Sequence, residues 1–246
     1  MLLTLLYHRV GDIKYSNSYE MFIEHLNHLK ENYPIVTPGD DLSPLQLQVC
    51  LSFDDAYYDF YHYLFPLMKK WKIKAVLSVP VGLIQNSTDL PSHQRLKVSY
   101  RDAMNENVIR SKVPYCTWEE LKEMAQSGLV HFASHGYHHK NLLSKEIDLE
   151  KEIVISKEIL EQKLEIPIQT FVYPLGKFDQ TIHKCVQEYY TYIMRIGSSF
   201  NLNWQNATGV IYRIQGDSLT AKDSPFKFQK WPSYFWFYLL NTPRKR

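Results

Sequence analysis

Two clusters of residues in the sequence could together bind a metal ion and activate a water molecule. Asp54 and Asp55 are adjacent carboxylates, and His135 and His139 are imidazoles four residues apart. Adjacent like charges cost free energy unless a cation or a proton offsets them. Either cluster alone is also typical of a solvated surface turn. Together they offer an aspartate and two histidines with open positions for water and substrate, a pattern typical of catalytic metal sites.

The elements that must position these clusters alternate between strands and helices. Seven short apolar runs indicate strands, and they cover residues 2–8, 49–55, 74–79, 129–134, 169–173, 190–195 and 210–214. Strands separated by helices imply right-handed crossovers and a parallel sheet. About seven strands suit a closed or nearly closed barrel. The sequence therefore predicts an α/β barrel, and we interpret residues 1–246 as one domain.

Helix signals lie between these runs. Ser18 is placed to cap a helix with apolar residues at 22, 26 and 29, and Thr117 forms a capping box with Glu120 before a helix that Gly128 ends. Residues 57–70 have a helical pattern, with Pro66 expected to kink or end the helix. Residues 85–113 are polar and irregular, so we expect a long rim or lid rather than core.

Polar residues follow four of the predicted strands. They are His8-Arg9, Asp54-Asp55, the segment His135 to His139, and Tyr173-Pro174. In parallel barrels, function collects at the C-terminal ends of the strands. We therefore expect these four clusters to converge on one mouth.

The composition excludes some classes of protein. The chain has 246 residues, 45% of them apolar and 22% charged, which is ordinary for a globular protein. A net charge of +2 is too mild to predict a nucleic-acid partner. Three scattered cysteines favour a reducing compartment or buried thiols over a disulfide framework. No apolar run of about 20 residues and no signal peptide are visible, so with Met1 as the natural start we predict a cytoplasmic protein.

Residues 220–246 form an aromatic and basic C-terminal extension. Its aromatic residues include Trp231, Tyr234, Phe235, Trp236, Phe237 and Tyr238, and it ends in Arg244-Lys245-Arg246. Such a segment could dock as a peripheral contact on a membrane surface. The interpretation that we favour is packing on the barrel or on a second subunit, and the oligomeric state is left open.

Three ordered motifs resemble those of the polysaccharide deacetylases, the NodB-homology carbohydrate esterases. Residues 52–56, Ser-Phe-Asp-Asp-Ala, resemble the family's T-F-D-D-G motif. Residues 134–139, Ser-His-Gly-Tyr-His-His, resemble its H-(S/T)-x-x-H metal motif, and residues 171–176, Phe-Val-Tyr-Pro-Leu-Gly, resemble its third motif. Residues 6–10, Leu-Tyr-His-Arg-Val, open the domain as in the exopolysaccharide deacetylase branch. The resemblance extends over residues 1–215 or so, and three ordered motifs make it specific.

The resemblance implies a distorted (β/α)7 barrel that removes an N-acetyl group from a sugar. The implied cofactor is a divalent metal, with zinc first and cobalt, nickel or manganese as alternatives. The implied partner is an N-acetylated oligo- or polysaccharide. Carried over by motif, the implied metal ligands are Asp55, His135 and His139, and the implied general base is Asp54. The implied substrate contacts are Tyr173, Pro174 and Leu175, with the Leu175 N–H donating to the oxyanion.

The sequence departs from the family pattern at three places. The C-terminal L-x-x-H histidine, which would protonate the departing amine, is absent, since no histidine follows His183. Val172 stands where many members have an arginine near the base, and Ala56 replaces the usual glycine, which we expect to be a small steric change. Because an amide anion is a poor leaving group, an acid is still needed. Our candidate is His8, with a purely orienting hydrogen bond as its alternative role.

These departures leave two alternatives to sugar N-deacetylation. One is a catalytically impaired relative that only binds glycans. The other is a deacylase of the same fold that acts on a different amide or on an ester.

Overall fold

The structure of the protein, a computed structural model, describes residues 1–11, 15–206 and 208–241. The strands in this part are β1 Leu2–Tyr7, β2 Arg9–Val10, β3 Ser16–Asn17, β4 Gln48–Phe53, β5 Ala75–Val79, β6 Val130–Ser134, β7 Thr170–Val172, β8 Tyr192–Ile196 and β9 Ile211–Gln215. The α-helices are α1 Tyr19–Asn32, α2 Phe65–Trp71, α3 Ser92–Leu96, α4 Glu106–Lys112, α5 Trp118–Gln126, α6 Ser156–Leu164, α7 Gln180–Tyr189 and α8 Trp231–Asn241.

Seven parallel strands form a closed barrel. Their order is β1-β4-β5-β6-β7-β8-β9, and β9 pairs back onto β1 with Leu5 opposite Ile214. The short strands β2 and β3 form a separate parallel ribbon. The predicted α/β barrel is confirmed, and each barrel strand begins and ends within two residues of its predicted range.

The core has an inner and an outer layer because successive side chains of a strand point to opposite faces. Along β1, Leu3 and Leu5 point outward and pack with Phe22 and Leu26 of α1. The inner layer fills the barrel with one residue from each of its seven strands, namely Leu2, Cys50, Val76, Ala133, Val172, Met194 and Ile211, with Trp204 and Val36 beside them. A filled interior leaves the rim at the C-terminal ends of the strands as the place for a site.

The helix signals are confirmed at two helices and corrected at a third. Ser18 accepts a hydrogen bond from the backbone N–H of Met21, and Thr117 and Glu120 form the reciprocal capping box of α5. A π-helical segment, Phe60–Leu64, leads directly into α2, and Pro66 lies in the first turn of α2. The chain therefore stays helical past Pro66, so the prediction that Pro66 ends its helix was wrong, and a kink there stays a prediction.

Residues 85–113 are more ordered than we expected. They contain α3 and α4, and their apolar side chains form a small cluster of their own with Tyr57 and Tyr115. Arg95 of α3 is buried, pairs with Glu120 at 2.6 Å and lies over the ring of Tyr58. The segment is therefore a fixed wall beside the barrel, whereas the sequence suggested an irregular excursion.

Helix α8 of the C-terminal extension packs on the barrel through Tyr234 and Tyr238. This agrees in part with the favoured interpretation of packing on the barrel. The basic residues at 244–246 lie outside the described residues. Within the described part of the chain, no helix is long and apolar enough to cross a membrane.

Candidate active site

The three predicted metal ligands lie together at the barrel mouth. Asp55 follows β4, and His135 follows β6. Asp55 Oδ1 lies 3.3 Å from His139 Nε2 and 3.6 Å from His135 Nε2. One ligand atom from each residue lies within 4.8 Å of the others, a grouping that could hold one ion. The sequence therefore predicted this juxtaposition correctly.

The chemistry of these three side chains fits a bound cation. Both carboxylate oxygens of Asp55 are buried and have no hydrogen-bond partner among the described residues. A buried carboxylate without hydrogen bonds is costly, and a divalent cation is the kind of group that would offset that cost. The donor set, one carboxylate and two imidazoles, suits zinc and related divalent ions.

His135 is held in the protonation state that a metal ligand requires. Its Nδ1–H donates to the carbonyl oxygen of Val172 at 2.8 Å, so Nε2 carries the lone pair and faces Asp55. Burial lowers the pKa of His135 to about 4, against the opposing effect of the Asp54 charge. The imidazole is therefore neutral near pH 7.

Several residues around the site have left-handed backbone conformations. The φ angles are 71° at Asp55, 54° at Ala56, 56° at His139 and 57° at Leu175. For a residue other than glycine, this conformation costs about 1–2 kcal/mol. The expectation that Ala56 is only a small steric change was therefore wrong, because at this φ the replaced glycine would have been free of conformational strain. Such strain persists only where the surrounding contacts hold it in place.

A buried glutamate holds the loop that carries both histidines. Glu152 accepts hydrogen bonds from the N–H of Tyr137 at 2.7 Å, from the N–H of His138 at 3.0 Å and from the ring of His138 at 2.8 Å. Gly136 passes so close that a Cβ there would lie 2.6 Å from Glu152 Oε2. Glu152 belongs to a π-helical segment, Lys151–Ile155, that leads into α6. The sequence analysis missed this residue, which fixes the path between the two imidazoles.

The predicted base, Asp54, is buried next to an arginine. Arg213 Nη1 and Nη2 donate to its two carboxylate oxygens at 2.6 and 2.8 Å, and Ser78 Oγ donates at 2.8 Å. Burial alone would raise the pKa of Asp54, but the Arg213 guanidinium outweighs it and holds the pKa well below its usual range. Asp54 is thus ionised at neutral pH, as a general base must be.

Arg213 supplies from β9 the guanidinium that the family pattern led us to seek at Val172. The sequence analysis missed it, although one signal was available. An arginine in the middle of an apolar run predicted as a strand has to be paired if it is buried.

His8 lines the same cavity as Asp54, as predicted. Its Nδ1–H donates to Asp217 Oδ2 at 2.6 Å, and its backbone N–H donates to Asp217 Oδ1 at 3.2 Å. Burial by itself would lower the pKa of His8, but the hydrogen bond to Asp217 and the nearby charges of Asp54 and Asp55 raise it to about 9. The sequence analysis did not find Asp217, which lies 209 residues away along the chain.

The cavity has a volume of about 330 Å³. Its lining residues are His8, Tyr15, Asp54, Tyr100, His135, His139, Tyr173, Leu175, Ile196, Arg213 and Gln215. The rings of Tyr15 and Tyr100 lie 4.8 Å apart at its edge, and sequence analysis missed both. Tyr100 comes from the segment 85–113, so the rim prediction is confirmed for that part of the segment.

The third motif residues differ in exposure. Leu175 is 53% exposed and lines the cavity. Tyr173 is buried, and its hydroxyl donates to Nδ1 of His183, whose Nε2–H donates to the carbonyl oxygen of Thr208. Pro174 is also buried, with its ring near Gly136. Leu175 is thus the residue of this motif with the greatest access to a bound molecule.

Comparison with known proteins gives one family. Residues 44–192 match the family model described as Polysaccharide deacetylase, which is more than half of the chain. An Escherichia coli (strain K12) protein, poly-beta-1,6-N-acetyl-D-glucosamine N-deacetylase, is 36% identical over 87 residues, or 35% of this chain. The aligned segment spans only 11% of that protein's length.

Solved structures share the fold. A polysaccharide deacetylase from Bacillus cereus superposes with a TM-score of 0.71 at 20% identity, over 91% of this chain and 67% of that chain. IcaB from Ammonifex degensii superposes with a TM-score of 0.69 at 22% identity, over 91% of this chain and 94% of that chain. The predicted fold, the distorted (β/α)7 barrel, is therefore confirmed.

Proposed function

The chain belongs to the polysaccharide deacetylase family, and from this membership we propose that it is a metal-dependent hydrolase acting on N-acetylhexosamine units of a polysaccharide or glycan. The observation that carries the proposal is the meeting of Asp55, His135 and His139 in one group, with Asp54 and His8 lining the adjoining cavity. The named activity of the E. coli relative supports N-acetylglucosamine as the first sugar to test.

Asp55, His135 and His139 would hold the cation, with zinc as the first candidate and cobalt, nickel or manganese as alternatives. When bound, a divalent cation supplies Lewis-acid chemistry, since it polarises a carbonyl and makes water more acidic. The protein's part is to keep both imidazoles neutral and to fix their directions, which the Val172 carbonyl does for His135.

Asp54 is the proposed general base. It removes the proton from the attacking water while that water adds to the acetyl carbonyl carbon. The Arg213 guanidinium keeps Asp54 ionised before this step and orients its carboxylate through two hydrogen bonds. The Leu175 N–H is the proposed donor to the oxyanion, and a donor of this kind contributes about 10²–10³ in turnover.

His8 is the proposed general acid. When the C–N bond breaks, the departing nitrogen needs a proton, and the protonated ring of His8 can deliver one from Nε2 while Nδ1 stays bonded to Asp217. The raised pKa of His8 keeps the ring protonated near pH 7. This assigns to His8, directly after β1, the role that a C-terminal histidine has in the family pattern.

The glycan-binding alternative rested on that absent histidine and on Val172. Arg213 contacts Asp54, and His8 lines the cavity, so each of the two chemical roles has a candidate residue in place. We therefore favour an active hydrolase. A different acyl group remains an outcome of the substrate test.

The test is acetate release from N-acetylglucosamine oligomers by the full chain loaded with zinc or cobalt, with Asp54→Asn as the matched variant. We expect the wild-type protein to release acetate and Asp54→Asn to lose at least about 10² of the rate. Equal rates would refute the assigned base. Bound metal and oligosaccharide affinity without turnover of any acylated amine or ester would favour the glycan-binding alternative.

A further inference from the structure

Helix α8 contacts the rest of the protein mainly through the side that carries Tyr234 and Tyr238. Tyr234 is buried and its hydroxyl donates to the carbonyl oxygen of Pro225 at 3.1 Å. The ring of Tyr238 stacks on Phe200 with centroids 4.8 Å apart. Asn241, at the end of the helix, donates from its side chain to the carbonyl oxygen of Gly197 at 3.2 Å. These contacts fix the orientation of the helix on the barrel.

The other side of the helix is also apolar, and it is exposed. The large apolar side chains on and just before α8 with 40–86% exposure are Phe228, Phe235, Trp236, Phe237, Leu239 and Leu240. A helix that is apolar all round is normally buried on all sides. Several large apolar side chains exposed together on one helix of a folded protein mark an interaction surface.

The charged residues in the sequence from Ser224 onward all have the same sign. Between Ser224 and Arg246 the sequence contains no aspartate or glutamate, and it contains Lys227, Lys230, Arg244, Lys245 and Arg246. Lys227 and Lys230 are exposed directly before the helix begins. The other three lie outside the described residues and enter only by their charge.

The positive charge favours an anionic lipid surface over a second copy of the chain as the partner of this face. If two copies paired through α8, the basic residues of one copy would approach those of the other, and like charges oppose such pairing. An anionic lipid surface instead attracts the basic residues and accepts the apolar side chains. The 11 residues of α8 rise roughly 16 Å, about half of a bilayer's hydrocarbon core, which suits a helix lying along the surface.

We infer that the outer face of α8 docks the protein on a membrane surface rich in anionic lipid. Trp236, Leu239 and Leu240 enter the interfacial region, while Lys227 and Lys230 contact the headgroups. This inference concerns binding alone, so it stands or falls independently of the hydrolytic activity proposed above.

The test is cosedimentation of the full chain with vesicles of phosphatidylcholine containing about one third phosphatidylglycerol, and with vesicles of phosphatidylcholine alone. We expect binding to the anionic vesicles that weakens at least tenfold when salt is raised from about 0.1 M to about 0.5 M. The double variant Trp236→Gln/Leu240→Gln should lose at least about tenfold in vesicle affinity. The variant Lys227→Gln/Lys230→Gln should lose about fivefold for each charge at low salt.

Leu45→Gln is the matched control, because Leu45 is 94% exposed and lies outside α8. It should bind vesicles like the wild type, and all variants should keep their melting temperature because the changed side chains are exposed. Absence of binding to anionic vesicles, or equal binding by Trp236→Gln/Leu240→Gln, overturns the inference. Sedimentation analysis that finds a dimer dissociated by that same variant assigns the face to a second copy and also overturns it.

Discussion

Arg213 and Asp54 form a two-pronged hydrogen-bonded ion pair inside the barrel, with N···O distances of 2.6 and 2.8 Å. The arginine comes from the last strand of the barrel and the aspartate from the end of the second. Both side chains are nearly inaccessible to solvent. The pair therefore sets the charge of the proposed base, and it does so only when the barrel is closed.

Replacing Arg213 should change the pH dependence of the reaction. Without the guanidinium, burial dominates and the pKa of Asp54 rises, so kcat/KM should be lost at the acid end of the profile, at pH values where the wild type is still active. Arg213→Met should also reduce kcat/KM at neutral pH by at least about tenfold. Arg213→Lys should reduce it by less, since lysine keeps the charge but cannot donate the two parallel hydrogen bonds of a guanidinium. The measurement is the pH profile of acetate release.

Arg195→Met is the control for that experiment, because Arg195 lies on the neighbouring strand β8 and contacts the ring of Phe178 rather than Asp54. Its pH profile should match that of the wild type. If kcat/KM fell at the same acid pH in Arg213→Met as in the wild type, Asp54 would not be the general base.

Asp217 should set the alkaline pH at which acetate release falls. A general acid works only in its protonated form, so activity that depends on His8 should fall as pH rises through the pKa of His8, which is about 9 in this structure. Asp217→Asn removes the negative charge that favours the protonated ring, so the alkaline limb should move to lower pH. His8→Gln should lower kcat by about 10²–10⁴ and abolish that limb.

Asp223→Asn, a change at another acid six residues after Asp217 in the sequence, should leave the limb in place. An alkaline limb that is the same in the wild type and in Asp217→Asn would leave His8 with only an orienting role.

Glu152 should affect metal affinity without touching the metal ligands themselves. Glutamine keeps the shape of the side chain but replaces one acceptor oxygen with an NH₂ group, so Glu152→Gln cannot accept all three hydrogen bonds from Tyr137 and His138. We expect zinc affinity to fall about 10–100-fold, the usual effect of removing a supporting hydrogen bond from a metal site. Competition with a chromogenic chelator measures this directly.

At saturating zinc, Glu152→Gln should recover most of its kcat, because Asp54 and His8 are unchanged. Glu150→Gln, at an exposed position two residues earlier, is the control and should bind zinc normally. Normal zinc affinity in Glu152→Gln would mean that the loop keeps its path without this anchor.

Tyr100 should contribute to substrate binding rather than to chemistry. Its ring lines the cavity next to Tyr15, where a sugar ring could pack against it. Tyr100→Ala should raise KM for an N-acetylglucosamine oligomer about three- to tenfold with little change in kcat, in line with one lost aromatic contact. Tyr189→Ala, at an exposed tyrosine of α7, should change neither constant. A fall in kcat at unchanged KM would contradict the binding role.

The sequence was informative wherever a local pattern decides the outcome. Strand ranges follow from apolar runs, the capping box of α5 from Thr117 and Glu120, and the grouping of Asp55 with His135 from the rule that parallel strand ends share one mouth. These features need no knowledge of which distant residues meet.

The residues that were missed depend on long-range contacts. Arg213 and Asp217 reach Asp54 and His8 only because β9 pairs with β1, and Tyr100 reaches the mouth only because α3 and α4 fold back against the barrel. The spacing of residues along the sequence does not predict such contacts. The strain at Ala56 was missed for a different reason, since a positive φ at a residue other than glycine has no local signal in one sequence.

The proposed chemistry depends on Asp55, His135 and His139 binding one divalent ion together. The zinc content and zinc affinity of the purified full chain can be compared with those of Asp55→Asn and His135→Gln, and with His62→Gln as an exposed histidine outside the site. We expect one zinc per chain in the wild type and in His62→Gln, and at least about 10²-fold weaker binding in the other two. A wild-type chain that takes up no ion in excess zinc, or an Asp55→Asn variant that binds zinc as tightly as the wild type, would rule out this metal site.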